Sequence, residues 1–360
     1  MIENVSPAIQ KKPVIPIMSM IHLSSEVLNE KEIVIMRGSD TESTIIRKEV
    51  ANSIELDNTV REVCFEYESM LGILKTLPEQ PIMITIDDNL KMQIKTDNGV
   101  YDILTNDAEN YPLSPELEEP EEFKVDGSII KDIIEASAFS VSDTARPLLS
   151  GVNIAMKDDK ICVAATDAIK LVAFRTKYDS LPAFNFTISN SAIKTIKVIA
   201  DADEVKVQTS RRFVSFAKGK VKIILRLVEG TYPNYNAVIP TGEAPVVVTM
   251  PSKEFLNAID RIYIASRSAN YISLVIEGML MSLTSVNKDY NISARESITG
   301  MVEKCNDDGF TIGMKADFLT ACIKACKAEE IQLNFRSKST AIIISSTEEN
   351  DNTVSATPIL

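Results

Sequence analysis

Apolar and polar positions alternate in many short runs along the chain, and each run of this kind predicts a strand. Helix-like runs follow some of them. In "NSAIKTIKVIADAD", Ile193, Ile196 and Ile199 recur at a helical spacing and share one face, while Lys194 and Lys197 lie on another. The strand-like runs are short and rich in β-branched residues, which is typical of antiparallel sheets. The pattern therefore predicts an α+β fold, with helices on one face of antiparallel sheets.

These runs repeat at a long period. Phrases that start at Phe65, Phe186 and Phe310 each lead into a helix-like run, and they lie 121 and 124 residues apart. A Tyr-Pro pair at Tyr111 recurs at Tyr232, again 121 residues later. Self-similarity at a fixed period indicates tandem structural units. We predict three domains, at residues 1–119, 120–243 and 244–360.

Two segments read as linkers between these domains. Residues 106–123, "NDAENYPLSPELEEPEEF", are Pro-rich and contain seven acidic residues and no basic one. Residues 239–245, "IPTGEAP", contain two prolines and a glycine. Such composition interrupts helices and strands and favours an exposed connection.

The first domain is shorter at its start than the second. In the second domain 22 residues, counted from Phe123, precede Ala145, whereas ten residues precede Lys11 at the corresponding phrase. The segment "IENVSPAI" resembles "IEASAFSV", which starts at Ile134. We therefore expect the first strand and half of the first helix to be missing from the first domain, which would expose a sheet edge.

Composition indicates a globular protein, with 45% apolar and 25% charged residues. No apolar run approaches the roughly 20 residues that span a bilayer, and the start has no apolar signal core, so we expect a cytoplasmic protein. Five scattered cysteines argue against a disulfide framework. No cofactor motif or metal-ligand spacing is present, so no cofactor and no metal are expected.

Candidate catalytic residues are few. His22 is the only histidine and lies in a strand-like run without an obvious partner, so we expect a structural role. Asp40 and Asp167 end corresponding strand-like runs, but the third copy of that run ends in Asn287. We expect the two carboxylates to accept hydrogen bonds from the turns that follow them. A metal-dependent hydrolase that uses Asp40 and Asp167 remains an alternative.

Three phrases carry a family resemblance: "ARPLLSGVNI", "KICVAATDAIKLVAF" and "RLVEGTYPNYNAVIP". Together they resemble the second domain of the bacterial DNA polymerase III β subunit, the sliding-clamp family. The resemblance covers nearly the whole chain, because the three units match the three clamp domains. It implies antiparallel sheets outside and helices lining a ring. The ring would be a head-to-tail homodimer around duplex DNA, bound without sequence specificity.

The function that the resemblance implies is that of a non-catalytic processivity factor in DNA replication. Its partners would be the DNA polymerase III catalytic subunit, the clamp loader and other proteins with a clamp-binding motif. A monomeric clamp-like adaptor that binds peptides without forming a ring is a second alternative. The net charge of −13 still permits a local basic surface on an acidic body.

The resemblance also implies site residues, carried over position by position. A groove that binds partner peptides through apolar anchors would be formed by Arg146, Leu149, Thr166, Ala168, Lys170, Leu171, Pro233, Val238, Lys315, Phe318, Thr357, Pro358, Ile359 and Leu360. Basic residues that would face DNA are Lys12, Lys75, Lys194, Lys197, Lys253, Arg261, Lys324 and Lys327. The dimer interface would join Tyr101 and Ile103 to Tyr263 and Ile264, although core packing explains these four residues equally well.

The groove phrases depart from the family pattern. A Gly-His-Arg or Ser-His-Arg triplet is usual after Thr-Asp, and this chain has Ala168, Ile169 and Lys170. Ala237 stands where Arg is common, and the tail "TPIL" is one residue shorter than usual and lacks an Arg. Lys170 keeps the positive charge but lacks the planar guanidinium fork. We expect an apolar groove floor with an altered peptide preference.

Overall fold

The structure is a computed structural model, which describes residues 1–28, 31–50, 62–141, 145–179, 181–267, 269–305, 309–347 and 354–357. These residues form two compact units. Unit 1 contains Met1–Lys131 and Ser191–Leu227, and unit 2 contains Asp132–Asn190 and Val228–Leu360. None of the described helices is long and apolar enough to cross a membrane.

The three repeats predicted from the sequence share one plan. In the second, a strand, a helix and three strands are followed by the same series again. The first repeat contains α1 Ile2–Val5, β1 Ile21–Leu28, β2 Lys31–Ser39, β3 Ser43–Val50, β4 Glu62–Phe65, α2 Tyr67–Thr76, β5 Met83–Ile86, β6 Met92–Lys95, β7 Val100–Ile103 and β8 Thr105–Asn106.

The second repeat contains β9 Glu121–Asp126, α3 Gly127–Ala136, β10 Gly151–Lys157, β11 Lys160–Thr166, β12 Leu171–Lys177, β13 Asn185–Ser189, α4 Ile193–Ile196, β14 Glu204–Thr209, β15 Phe213–Lys218 and β16 Val221–Arg226. The third contains β17 Val246–Pro251, α5 Ser252–Ala265, β18 Tyr271–Glu277, β19 Leu280–Asn287, β20 Ile292–Ser297, β21 Met301–Cys305, β22 Phe310–Lys315, α6 Ala316–Cys326, β23 Glu330–Phe335, β24 Ile342–Ser346 and β25 Val354–Thr357. The order confirms the predicted α+β fold with three tandem copies.

Antiparallel pairing joins the strands within each unit. Unit 1 has a nine-stranded sheet of order β8-β4-β1-β2-β3-β16-β15-β14-β9 and a three-stranded sheet β5-β6-β7. Unit 2 has a nine-stranded sheet of order β13-β10-β11-β12-β25-β24-β23-β17-β21 and a four-stranded sheet β20-β19-β18-β22. Alternation sets the buried face of each strand. In β14, Val205 and Val207 are buried on either side of the exposed Lys206.

Successive repeats are joined edge to edge by their strands. In unit 1, β3 of the first repeat pairs with β16 of the second, from Ser43↔Leu225 to Arg47↔Val221. In unit 2, β12 of the second repeat pairs with β25 of the third, and Leu171 lies opposite Ala356. In both cases the third strand after the first helix of one repeat pairs with the last strand of the next repeat.

The strand after the second helix has different partners in the three repeats. β14 pairs with β9, and β23 pairs with β17, which are the first strands of their repeats. Among the described residues, β5 pairs with β6 only. Met83, its first residue, and Ile82, which precedes it, are both exposed. β5 is therefore an edge strand where its two counterparts are interior strands.

The helix predicted from "NSAIKTIKVIADAD" is shorter than its apolar spacing indicates. Its α-helical part, α4, has only four residues and lies between two 3₁₀ turns. Ile193, Ile196 and Ile199 are buried as predicted. The Thr195 hydroxyl donates a hydrogen bond to the Ala192 carbonyl at 2.6 Å, a local bond that competes with regular helix geometry.

Candidate functional site

The Thr-Asp pair of the second repeat shapes the turn between β11 and β12. Asp167 Oδ1 accepts hydrogen bonds from the backbone N–H groups of Ile169 at 2.9 Å and Lys170 at 2.7 Å. The Thr166 hydroxyl donates to the Lys170 carbonyl at 2.8 Å and accepts from the Ala168 N–H at 3.0 Å. Burial raises the pKa of Asp167, but hydrogen bonds from Lys170 and Ile169 outweigh it and hold that pKa below its usual value. The pair has the structural role predicted for it.

The Tyr-Pro phrase is attached to the same turn. The Thr166 N–H donates a hydrogen bond to the hydroxyl of Tyr232 at 3.2 Å. Tyr232 is buried, and burial raises its pKa to about 12. The phenol therefore stays neutral and holds Pro233, its neighbour, at the end of β11.

Two further segments converge on this end of the sheet. Gly230, with a φ of 115°, lies so close to Leu148 that an added Cβ would be 3.2 Å from its side chain. A left-handed φ and close packing together require glycine there. The last strand, β25, lies beside Leu171, and α6 packs against both β12 and β25. The phrases that carry the family resemblance thus meet around one turn.

The predicted groove residues combine a buried floor with an exposed apolar rim. Leu171 is buried and Leu149 is half-buried. Val238 is 65% exposed, and Ile169 is 43% exposed on the turn. Pro233 and Arg146 are also exposed. Apolar side chains left in water beside a packed floor are typical of a docking surface.

Two of the groove residues predicted in the third repeat lie at the start of α6. Lys315 ends β22, and its ammonium lies 5.1 Å from the centre of the Phe318 ring. Both side chains are half-buried. The backbone of Thr357 ends β25, while Pro358, Ile359 and Leu360 lie outside the described residues.

Lys170 differs from the other predicted groove residues, because its ammonium is engaged within the chain. It lies 2.8 Å from Asp167 Oδ2, donates to the Ala138 carbonyl at 3.2 Å and lies 5.1 Å from the centre of the Phe139 ring. Only 13% of its side chain is exposed. Its interactions tie the turn to the segment after α3.

Asp40 of the first repeat forms an equivalent turn. Its Oδ1 accepts hydrogen bonds from the N–H groups of Glu42 at 3.0 Å and Ser43 at 2.6 Å. Its Oδ2 lies 3.3 Å from Lys194 Nζ. Both oxygens are thus engaged within unit 1, as they are for Asp167 in unit 2. No group of three or more potential metal ligands occurs among the described residues.

His22 has a partner that the sequence did not indicate. Its Nε2 lies 3.1 Å from a carboxylate oxygen of Glu62 on the neighbouring strand β4. The ring packs against Tyr111 of the acidic linker, with centroids 5.2 Å apart, and the Arg37 guanidinium lies 5.2 Å from the centre of the Tyr111 ring. Burial and the charge of Arg37 lower the pKa of His22, partly offset by Glu62. The cluster anchors the linker to the first repeat, which is a structural role.

The predicted DNA-facing residues fall into two groups. In one group, each side chain is paired with a carboxylate: Lys75 with Glu3, Lys194 with Asp40, Arg261 with Glu296, and Lys327 with both Asp132 and Glu135. In the other, the side chains are exposed and have no carboxylate partner within the described residues: Lys12, Lys197, Lys253 and Lys324. The second group is the better placed to contact phosphate.

The four predicted interface residues also differ from one another. Ile264 is 72% exposed, and Tyr263 is partly exposed, both in the last turn of α5. Tyr101 is half-buried on β7. Ile103 is only 4% exposed, so its side chain belongs to the core of its own repeat, the packing role that the alternation in β7 left open. Its neighbour Leu104 is exposed in its place.

Sequence reasoning did not identify the residues that support the turn. In the sequence, Tyr232 stands out only as part of the recurring Tyr-Pro pair, and Ala138 and Phe139 only as part of a helix-like segment. The recurrence of Tyr-Pro one period after Tyr111 was the available signal, because both tyrosines are buried. No local pattern indicates their hydrogen-bond partners.

Comparison with known families decides the assignment. Models of the DNA polymerase III beta subunit match in order along the chain: the N-terminal domain at residues 1–115, the central domain at 124–234 and the C-terminal domain at 236–359. The chain belongs to the DNA polymerase III beta subunit family. It therefore carries all three domains of a sliding clamp.

Relatives agree with this membership. The Beta sliding clamp of Staphylococcus epidermidis is 26% identical over 339 residues, covering 91% of this chain and 88% of the relative. That of Halalkalibacterium halodurans is 24% identical over 372 residues, covering 98% and 94%.

Solved clamp structures share the fold. The beta subunit from DNA polymerase of Streptococcus pyogenes superposes with a TM-score of 0.90 at 19% identity, covering 100% of this chain and 96% of that one. The DNA polymerase sliding clamp from Bacillus subtilis gives 0.88 at 20% identity, covering 100% and 95%. The clamp fold is therefore kept at low sequence identity.

Proposed function

We propose that this chain is a processivity factor of DNA replication, a ring-shaped clamp that encircles duplex DNA and tethers a polymerase. The observation that carries the proposal is the repeated edge-to-edge junction, β3 with β16 and β12 with β25. Chains that join head to tail by the same rotation close into a ring. Family membership supports the same conclusion.

The third junction would form between two copies of the chain. β20 is the third strand after α5, the first helix of the third repeat, and β7 is the third strand after α2, the second helix of the first repeat. Both lie at the edges of their sheets within the described residues. Pairing β20 of one copy with β7 of another repeats the two junctions already formed within the chain. Leu104 and Tyr101 would then meet the exposed end of α5, which includes Ile264 and Tyr263.

The chain would contact DNA without reading its sequence. Sliding requires diffuse contacts to phosphate, which lysine ammonium groups supply. Lys12, Lys197, Lys253 and Lys324 are exposed cations on the loop and helices that the family places at the hole. No catalytic step is proposed, since enclosure alone retains the DNA. A replication clamp of this kind works in the cytoplasm.

The groove around the Asp167–Lys170 turn would bind short peptides of DNA polymerase, the clamp loader and other partners. Its support is the buried Leu171 beside β25, the packing of α6 against β12 and β25, and the exposed apolar side chains of Ile169 and Val238. A buried floor with an exposed apolar rim suits a peptide with apolar anchor residues.

Retention on closed DNA tests the ring. The protein, at micromolar concentration, is first allowed to thread onto a linear plasmid, and ligase then closes the plasmid into a circle. The mixture is passed through a gel-filtration column in about 0.5 M NaCl, which screens phosphate contacts. We expect protein to elute with the circle and to be lost once a single cut makes the plasmid linear. Equal loss from both forms would contradict enclosure and favour an adaptor without a ring.

A further inference from the structure

The Asp167–Lys170 turn exposes an apolar residue and turns its charged residue inward. Ile169 is 43% exposed. The ammonium of Lys170 is held by the Asp167 carboxylate, the Ala138 carbonyl and the Phe139 ring. The side chain that projects from the turn into solvent is therefore the isoleucine.

The inward position of Lys170 is fixed from several directions. Asp167 is itself held by two backbone N–H groups of the turn, so it cannot follow a departing lysine. Breaking the ion pair would leave a carboxylate with only 19% of its side chain exposed and no counter-ion. Removing one partner of such a pair costs more than an exposed ion pair returns. An acidic side chain of a peptide would have to compete with Asp167 for this ammonium.

The cations that remain available lie on other segments. Arg146 is exposed before β10, and Lys315 lies over Phe318 at the start of α6. The turn itself therefore offers apolar surface. Val238, on the segment that Tyr232 attaches to the turn, is also apolar and exposed.

We propose that the turn reads an apolar side chain of the partner peptide through Ile169, and that it selects against an acidic side chain at that position. This inference rests on the proposed function of the groove. Burying the exposed part of an isoleucine against an apolar group favours binding by about tenfold. A carboxylate placed on the same surface loses water without gaining a free cation.

The test is a binding experiment with defined peptides. The labelled probe is Ser-Leu-Ala-Leu-Leu, and each of its residues is replaced in turn by Val or by Asp. Fluorescence polarisation measures the affinity of every peptide for the full chain. At one position we expect the Val peptide to bind about tenfold more tightly than the Asp peptide.

Variants at the exposed position assign that preference to a residue. Ile169→Lys should abolish or reverse the gap between Val and Asp, whereas the conservative Ile169→Leu should keep it. Thermal unfolding should be the same for both variants, because the side chain is exposed. Tighter binding of an Asp peptide to the unchanged chain, or a gap that survives in Ile169→Lys, would overturn the inference. Binding of none of the peptides would overturn the groove as well.

Discussion

Lys194 Nζ lies 3.3 Å from Asp40 Oδ2, and this ion pair joins the second repeat to the first within unit 1. The hydroxyl of Ser191, one helical turn earlier, also donates a hydrogen bond to the Glu42 carboxylate. In unit 2, the equivalent Asp167 is held by Lys170 of its own turn instead. The aspartate turn of the first repeat is thus tied to the second repeat, whereas the aspartate turn of the second repeat is held by its own lysine.

Lys194→Ala should destabilise unit 1. The Asp40 side chain is only 6% exposed, so removing the ammonium leaves a nearly buried carboxylate without its counter-ion. We expect a loss of about 1 kcal/mol in the free energy of unfolding, measured by urea denaturation. Lys197→Ala is the matched control, because Lys197 is exposed one turn away and has no carboxylate partner among the described residues. Equal stability of the two variants would refute a structural role for Lys194.

Contacts with DNA should depend on the lysines that have no carboxylate partner. The binding constant for DNA falls as salt rises, so the plot of log K against log salt concentration has a negative slope. Replacing Lys12, Lys197, Lys253 and Lys324 by Ala should make this slope less steep by about one per lysine removed. Binding to a short linear duplex, measured by fluorescence anisotropy over a range of salt, gives this slope.

The matched comparison replaces Lys75, Lys194, Arg261 and Lys327, which are already paired with carboxylates. This set should change the slope less. An equal or larger change would show that the ion pairs open on DNA.

The long-range plan of the fold was readable from the sequence, because repeats and apolar alternation are local signals. The burial of Ile193, Ile196 and Ile199 follows from their spacing. The partner of Lys194 was not readable, since Asp40 lies 154 residues earlier and no periodicity links them. For the same reason, the sequence could not show that four of the predicted DNA-facing residues are already paired with carboxylates.

Ala168→Gly should stabilise the turn. Ala168 has a φ of 71°, in the left-handed region, where an L residue with a Cβ is strained. Glycine adopts this conformation freely, although it loses more backbone entropy on folding. We expect a net gain of about 0.5–1 kcal/mol, seen as a higher Tm. A lower Tm would show that the alanine methyl group contributes packing that outweighs its strain.

Acid should weaken the His22 cluster. Burial and Arg37 lower the pKa of His22 in the folded chain. The unfolded chain, with a pKa of about 6.5, therefore binds a proton first, and stability is lost as pH falls below that value. The charged or titratable groups around the ring are Glu62, Cys64, Arg37 and Tyr111.

His22→Gln should flatten the pH dependence of Tm between about pH 7.5 and 5.5. As His22 is the only histidine, its ring protons also report its pKa directly by NMR. A pKa above that of an unfolded chain would contradict the stated environment.

Core and interface roles could not be separated from alternation alone. Tyr101 and Ile103 both fit an edge strand with one apolar face, yet Ile103 is buried within its own repeat and Leu104 is exposed. The supports of the turn were hidden for a similar reason. Tyr232, Ala138 and Phe139 reach Thr166 and Lys170 only after folding brings distant segments together.

Sedimentation of the chain at micromolar concentration tests head-to-tail closure most directly. A ring that pairs β7 with β20 requires two copies, so the account predicts a species of twice 39.7 kDa, which charged substitutions at Leu104 and Ile264 convert to monomer. A stable species of 39.7 kDa from the unmodified chain would contradict ring closure.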